Sequence, residues 1–234
     1  MSATVSVVAA NRLVPAAQAS VASIDKCYLP LAEMELPNDE RTNVAMALLY
    51  ASIEQARSAS FLVAHDAEQS LFGSLILLRS QTDQLMRASF FAGPATDEEL
   101  AFYLANDKLP PRNGNLLGPN SLSKINEEHF GWLPKGRVPD TIANSWAALS
   151  GMTHGGRALL AFYSSADGIG PHPPTDEFIE VFTNSVAFTH LAVSVALTLA
   201  RNPHAENLQA ALHAWHEAGR QYFEEWAPKL PMPL

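Results

Sequence analysis

The stretch DAEQSLFGSLILLRSQTDQLMRASFFAG, residues 66–93, decides the fold. Asp66 followed by Gln69 has the form of a capping box, in which a side-chain oxygen closes the first open N–H groups of a helix. Behind it Leu71, Leu75, Leu78, Leu85 and Phe90 recur at helical spacing, and Gly93-Pro94 ends the run. Arg79, Asp83 and Arg87 recur every four residues along the same segment, so they stack on one face. The segment is a helix with an apolar face and a charged stripe.

The same periodicity runs outward in both directions, and β-branched alternation between turn signals is nearly absent. A first helix is expected over Val14–Leu36, opening near Pro15 and kinking at Pro30. A second follows Asn38-Asp39 and reaches about Ala64. Thr96 with Glu99 forms another capping box and opens a short helix through Asn106. Residues 107–139 are rich in Pro, Gly and Asn and read as one long irregular loop, either a functional cover or a connector packed through Phe130 and Trp132. A helix is expected from Asp140 to about Ala166, another from Asp176 to Arg201 capped by Thr175, and a last one from Asn202-Pro203 to about Trp226. With no repeat, low-complexity tract or composition break, residues 1–234 read as a single all-α domain, a helical bundle of about six or seven helices.

Composition limits the function classes. Hydrophobic residues make up 47% and charged residues 17%, so several helices must be covered on more than one side. A net charge of −9 disfavours broad nucleic-acid or anionic-membrane binding, which needs a basic footprint. Cys27 is the only cysteine, so no internal disulfide forms and a reducing cytoplasm is the expected compartment. Met1–Ala10 lacks a basic region ahead of a long apolar stretch and makes a poor signal peptide. The apolar run Val186–Ala200, interrupted by Thr189, His190, Ser194 and Thr198, is shorter than the roughly 18–20 residues of a membrane span, and no membrane role is expected.

Two groups of residues could carry chemistry. The Arg79–Asp83–Arg87 stripe lies among Leu77, Leu78, Leu85, Met86 and Phe90. It is either an ordinary surface ladder, worth a few tenths of a kcal/mol per pair, or a half-buried centre whose guanidinium groups must be paired. Downstream, Asn144-Ser145-Trp146-Ala147-Ala148-Leu149-Ser150-Gly151-Met152-Thr153-His154-Gly155-Gly156 sets a histidine among small residues, with Ser150 four residues before it. The glycines each cost a helix about 1 kcal/mol, which suggests close approach of a backbone or ligand; the alternative is a core histidine. His190 reads as a core residue, and the His213/His216 pair near Glu217 as a solvated helix face rather than a metal site. The chain has no P-loop, no GxGxxG after a strand, no GxSxG elbow and no cysteine cluster, so neither metal nor cofactor is expected.

The segments Ser74–Arg87, Ala95–Glu99, Asp107-Lys108, Asn144–Trp146, Leu149–Gly156 and Thr175–Glu177 together resemble an uncharacterised family of helical bacterial proteins. The resemblance covers roughly residues 65–200. Its pattern is an Arg, a carboxylate four residues on and a second Arg four further, followed by a Thr-His-Gly helix; the family usually has Glu where this chain has Asp83. It implies that Arg79, Asp83, Arg87 and His154 converge, with Asn144 and Ser150 beside them, but carries no established reaction. A weaker resemblance is to the HEPN superfamily of helical bundles, many of which are ribonucleases of toxin and phage-defence systems. Those place an Arg a few residues before the His, whereas here Trp146, Leu149 and Ser150 fill that turn and Arg157 follows. That resemblance implies His154 as general acid or base and an arginine from the third helix as the phosphate-binding group.

Three functions are therefore expected in competition. The first is a binding or sensing module in which Arg79, Arg87 and His154 hold a small anionic ligand or a partner's carboxylate. The second is a metal-independent ribonuclease with RNA as substrate. The third is a structural or interaction protein whose stripe only fixes helix register. Trp215, Phe223 and Trp226 in the last helix leave room for a homodimer interface.

Overall fold

The computed structural model describes residues 7–131, 135–165, 168–169 and 175–227. Among them are nine helices: α1 (Val7–Glu33), α2 (Glu40–His65), α3 (Ala67–Ala92), α4 (Asp97–Asn106), α5 (Pro119–Phe130), α6 (Arg137–Thr153), α7 (Arg157–Tyr163), α8 (Thr175–Leu197) and α9 (Glu206–Trp226). Two two-residue hairpins, β1–β2 (Pro111–Arg112 with Asn115–Leu116) and β3–β4 (Ser164–Ser165 with Gly168–Ile169), are the only strands described. The all-α architecture is as expected.

A single residue joins α2 to α3. The Asp66 N–H donates to the Leu62 carbonyl, closing α2, while its side chain accepts from the Gln69 N–H, opening α3. With no loop between them, the two helices fold back on each other along their whole length. Thr96 and Glu99 make the full capping box of α4.

Helix α3 is the spine. Its first half, with Leu71, Leu75 and Leu78, enters a core with Leu13, Val63, Leu149, Phe178 and Phe182. Its second half, with Leu85, Met86 and Phe90, enters a larger core with Ile53, Leu122, Ile142 and Val186. Because Ile142 belongs with the end of α3 and Leu149 with its beginning, α6 runs antiparallel to it. Between the cores Gln81 is buried and closed: its Nε2 donates to the Ser185 carbonyl, and its Oε1 accepts from the Ser185 hydroxyl at 2.7 Å.

Several boundaries differ from the sequence expectation, each for a local reason. Helix α1 starts at Val7, not near Pro15, and carries Pro15 and Pro30 inside it. Residues 107–139 are not one loop. They contain α5, which opens with Pro119 at its first turn and puts Leu122 and Phe130 into the core, while Asn126 Nδ2 donates to the Met86 carbonyl. They also contain β1–β2, whose turn residues Asn113 and Gly114 have φ of 51° and 75°, as a tight primed turn requires. Arg112 pins this hairpin with two bonds to the Glu99 carboxylate and a seat over the Phe90 ring.

Helix α9 begins at Glu206, because Asn202 is used elsewhere: its amide donates to the Glu33 carbonyl and accepts from the Glu35 N–H, closing the end of α1. In α8, the segment Phe178–Leu197 is long and apolar enough to cross a bilayer by length and composition, longer than the run picked out from sequence, and 61% of it is buried inside the bundle.

Candidate functional site

The charged stripe of α3 is half-buried, and its three members do not act alike. Arg87 Nε stands 2.8 Å from Asp83 Oδ2, with both side chains just over a quarter exposed. The N–H is not aligned with the carboxylate, so the contact is coulombic more than a directed hydrogen bond. Asp lying N-terminal to Arg is also the favourable order along the helix dipole. Arg79 pairs with no carboxylate among the described residues. Its guanidinium lies over the Trp146 ring of α6, 4.7 Å from the centroid, and its buried Nε has no hydrogen-bond partner.

Trp146 is thus the residue that couples the stripe to α6. The sequence carried a usable signal for it, since an aromatic on a helix packed against an arginine-bearing helix is the common receptor of a guanidinium face. Asn144, two residues earlier, is exposed, and Ser150, one turn later, is half-buried.

His154 is placed differently from the three α3 residues. It is the C-cap of α6, its side chain exposed and its N–H donating to the Ser150 carbonyl. Gly155 follows with φ of 74°, and the Gly156 N–H returns to the Gly151 carbonyl at 2.6 Å. That six-to-one bond with a left-handed residue before it is a Schellman stop. The glycines that suggested a ligand's approach are accounted for by helix termination, and the expected single helix over 140–166 is accordingly split into α6 and α7. Eight residues separate His154 from Trp146, about 12 Å along the helix. Since α6 is antiparallel to α3, His154 lies toward the start of α3, away from Asp83 and Arg87. The structure brings Arg79, Asp83, Arg87 and Trp146 together; it shows no side-chain contact from His154 to any of them.

A second polar centre escaped the sequence reading. Ser20, Ser23 and Cys27 form an i, i+3, i+7 stripe on α1 that meets α8 and α9. Ser20 shares a 2.9 Å hydrogen bond with the Tyr222 hydroxyl, Ser23 lies 3.4 Å from His190 Nε2, and the Cys27 thiol donates to Thr189 Oγ1. The His190 ring stacks on Trp215 at 5.1 Å and meets Phe223 edge-on. Burial, with a smaller contribution from the charge of His216, lowers its pKa to about 4, so at neutral pH the imidazole is uncharged. Burial likewise pushes the Cys27 thiol up to about 11, which leaves it unreactive. His190 is therefore a packed contact that ties α8 to Ser23 of α1 and to Trp215 and Phe223 of α9. Among the described residues no group of three His, Cys, Asp or Glu side chains is arranged to hold a metal ion.

Compared with protein-family models, with curated proteins and with solved structures, the chain matches none.

Proposed function

We propose that this bundle is a binding or sensing module that takes a small anion, or a partner's carboxylate, on Arg79 where α3 meets α6. One observation carries the reading. Arg79 is a half-buried guanidinium seated over Trp146 and paired with no carboxylate among the described residues, although acidic residues outnumber basic ones by 24 to 15. A guanidinium seated over an aromatic ring is restrained in position, and its planar fork of N–H donors suits carboxylate or phosphate oxygens. Arg87, partly neutralised by Asp83, adds positive potential two turns along and sets the orientation of a longer anion. The ribonuclease alternative requires His154 and an arginine on one phosphodiester, and no contact between them supports it.

Calorimetric titration with inorganic phosphate, citrate and AMP tests the proposal. At least one should bind, and Arg79→Ala should weaken it tenfold or more, while Arg79→Lys restores only part, since an ammonium lacks the fork. Failure of all three probes, or an affinity untouched by Arg79→Ala, would refute it. A structural role for the stripe predicts the opposite pattern: a large loss of stability in Arg79→Ala, from the lost seat on Trp146, with no ligand phenotype.

A further inference from the structure

We infer that the outer face of α1 and α2 is a self-association surface, on which a second copy of this chain packs about a two-fold axis through the Asp25–Arg57 ion pair. The two helices run antiparallel, with Tyr28 stacked on Tyr50 at one end of the face and Val21 sharing a groove with Phe61 at the other. On α1, Val21, Asp25 and Leu29 recur every four residues; on α2, Phe61 follows Arg57 by four and Tyr50 precedes it by seven. Each set therefore lies along one side of its helix. This seam leaves large apolar side chains in solvent: Phe61 is 52% exposed, Leu29 40% and Tyr50 37%. The groove beside Phe61 measures about 310 Å³ and is completed by Gln18, Ala64 and His65.

The order of groups along the face favours a copy of itself as the occupant. Its ion pair sits at the centre: Arg57 Nε meets Asp25 Oδ1 at 2.6 Å, with both side chains more than two-fifths exposed. Asp25 is midway between Val21 and Leu29, about 6 Å along the helix from each, so an apolar end lies on either side of the pair. A two-fold axis through the pair lays the Phe61 groove of one copy over Leu29 and Tyr50 of the other, and the reverse, which is the reciprocal contact of a closed dimer. The same operation brings each Arg57 toward the Asp25 of the other copy, so the charges at the centre remain paired as water leaves. A partner with a uniformly apolar face would bury that ion pair with nothing to answer it. Aromatic side chains around an arginine also match the composition of interface centres. Glu54 adds a carboxylate close to the axis, so the association expected is micromolar. Helix α9, the other helix rich in aromatics, lacks such a face, because its Trp215 and Phe223 are packed on His190.

Sedimentation velocity of the full chain from about 1 to 100 μM tests this, and a monomer–dimer equilibrium is expected within that range. Phe61→Asp and Tyr50→Asp should each weaken the dimer tenfold or more. Arg57→Asp leaves only carboxylates at the axis and should abolish it, whereas adding Asp25→Arg reverses the pair and should restore it. Phe102→Asp, on the exposed apolar side of α4, should leave the equilibrium unchanged, which distinguishes this face from general hydrophobic association. All five positions are at the surface, and unchanged circular dichroism confirms the fold of each variant. A chain that stays monomeric throughout the range, a dimer indifferent to Phe61→Asp, or a charge-reversed double variant no tighter than Arg57→Asp would overturn the inference.

Discussion

Replacing His190 with Phe should remove most of the mild-acid sensitivity of the fold. In the folded chain His190 is wedged between Ser23, Trp215 and Phe223, and burial, with a smaller contribution from His216 of α9, lowers its pKa from 6.5 to about 4. The sign follows from linkage: the unfolded chain takes up the proton at higher pH than the native one, so acid favours unfolding. The stability that depends on a neutral His190 is fully present above about pH 6.5 and declines by about 1.4 kcal/mol per pH unit below it. Between neutral pH and pH 5 the loss is about 2 kcal/mol, and it levels off near about 3 kcal/mol below the folded pKa. Urea unfolding of wild type and His190→Phe at several pH values between about 7.5 and 5 isolates the effect, because the other histidines and the carboxylates are common to both chains. Phe preserves a ring against Trp215 but loses Ser23, so a pH-independent offset is expected, and only the difference in slope matters. Parallel pH profiles for the two proteins would refute the burial and the packing described for α1, α8 and α9.

Two further substitutions test the central helices. Gly155→Ala places a Cβ at φ of 74° and should cost about 1–2 kcal/mol by thermal melting; a neutral result would mean that α6 does not end in the left-handed turn after His154. Gln81→Leu leaves the Ser185 hydroxyl and carbonyl without their side-chain partner in the core and should cost about 2 kcal/mol in urea unfolding. Adding Ser185→Ala should recover part of that loss, and a strictly additive double variant would contradict the closed pair.

The helical class was legible because α3 states it in three independent ways: the Asp66 cap, the leucine period and the Gly93 stop agree. The charged stripe was legible for the same reason, since four-residue spacing is a property of one helix. What spacing could not show was how the three residues divide. Asp83 has an arginine four residues away on either side, and only packing decides that it takes Arg87 while Arg79 turns to Trp146. The glycines after His154 were ambiguous because one residue type serves both close approach and left-handed turns; the bond from Gly156 to Gly151 resolves it as termination. Residues 107–139 misled through composition. Asn113-Gly114 is a strong hairpin signal and Gly118-Pro119 a strong helix start, but crowding among prolines hid the 12-residue α5 between them. Asn202-Pro203 was a cap by composition, but its amide is spent on the end of α1, a contact 169 residues away in sequence.

The open polar atoms in the bundle are not equivalent, and where they lie separates packing from binding. Ser60 carries a hydroxyl without a hydrogen bond, but it is 0% exposed, where no solute arrives, and it is simply a cost to the fold. The Gln81–Ser185 pair is the contrasting solution, each polar atom answering another inside the core. Arg79 fits neither pattern. Its guanidinium belongs to a half-buried side chain on a charged stripe where α3 meets α6. A guanidinium in that position is partly desolvated, so an acceptor that reaches its outer N–H groups is rewarded more strongly than in open water. That is the ground for proposing recognition at the seam where α3 meets α6.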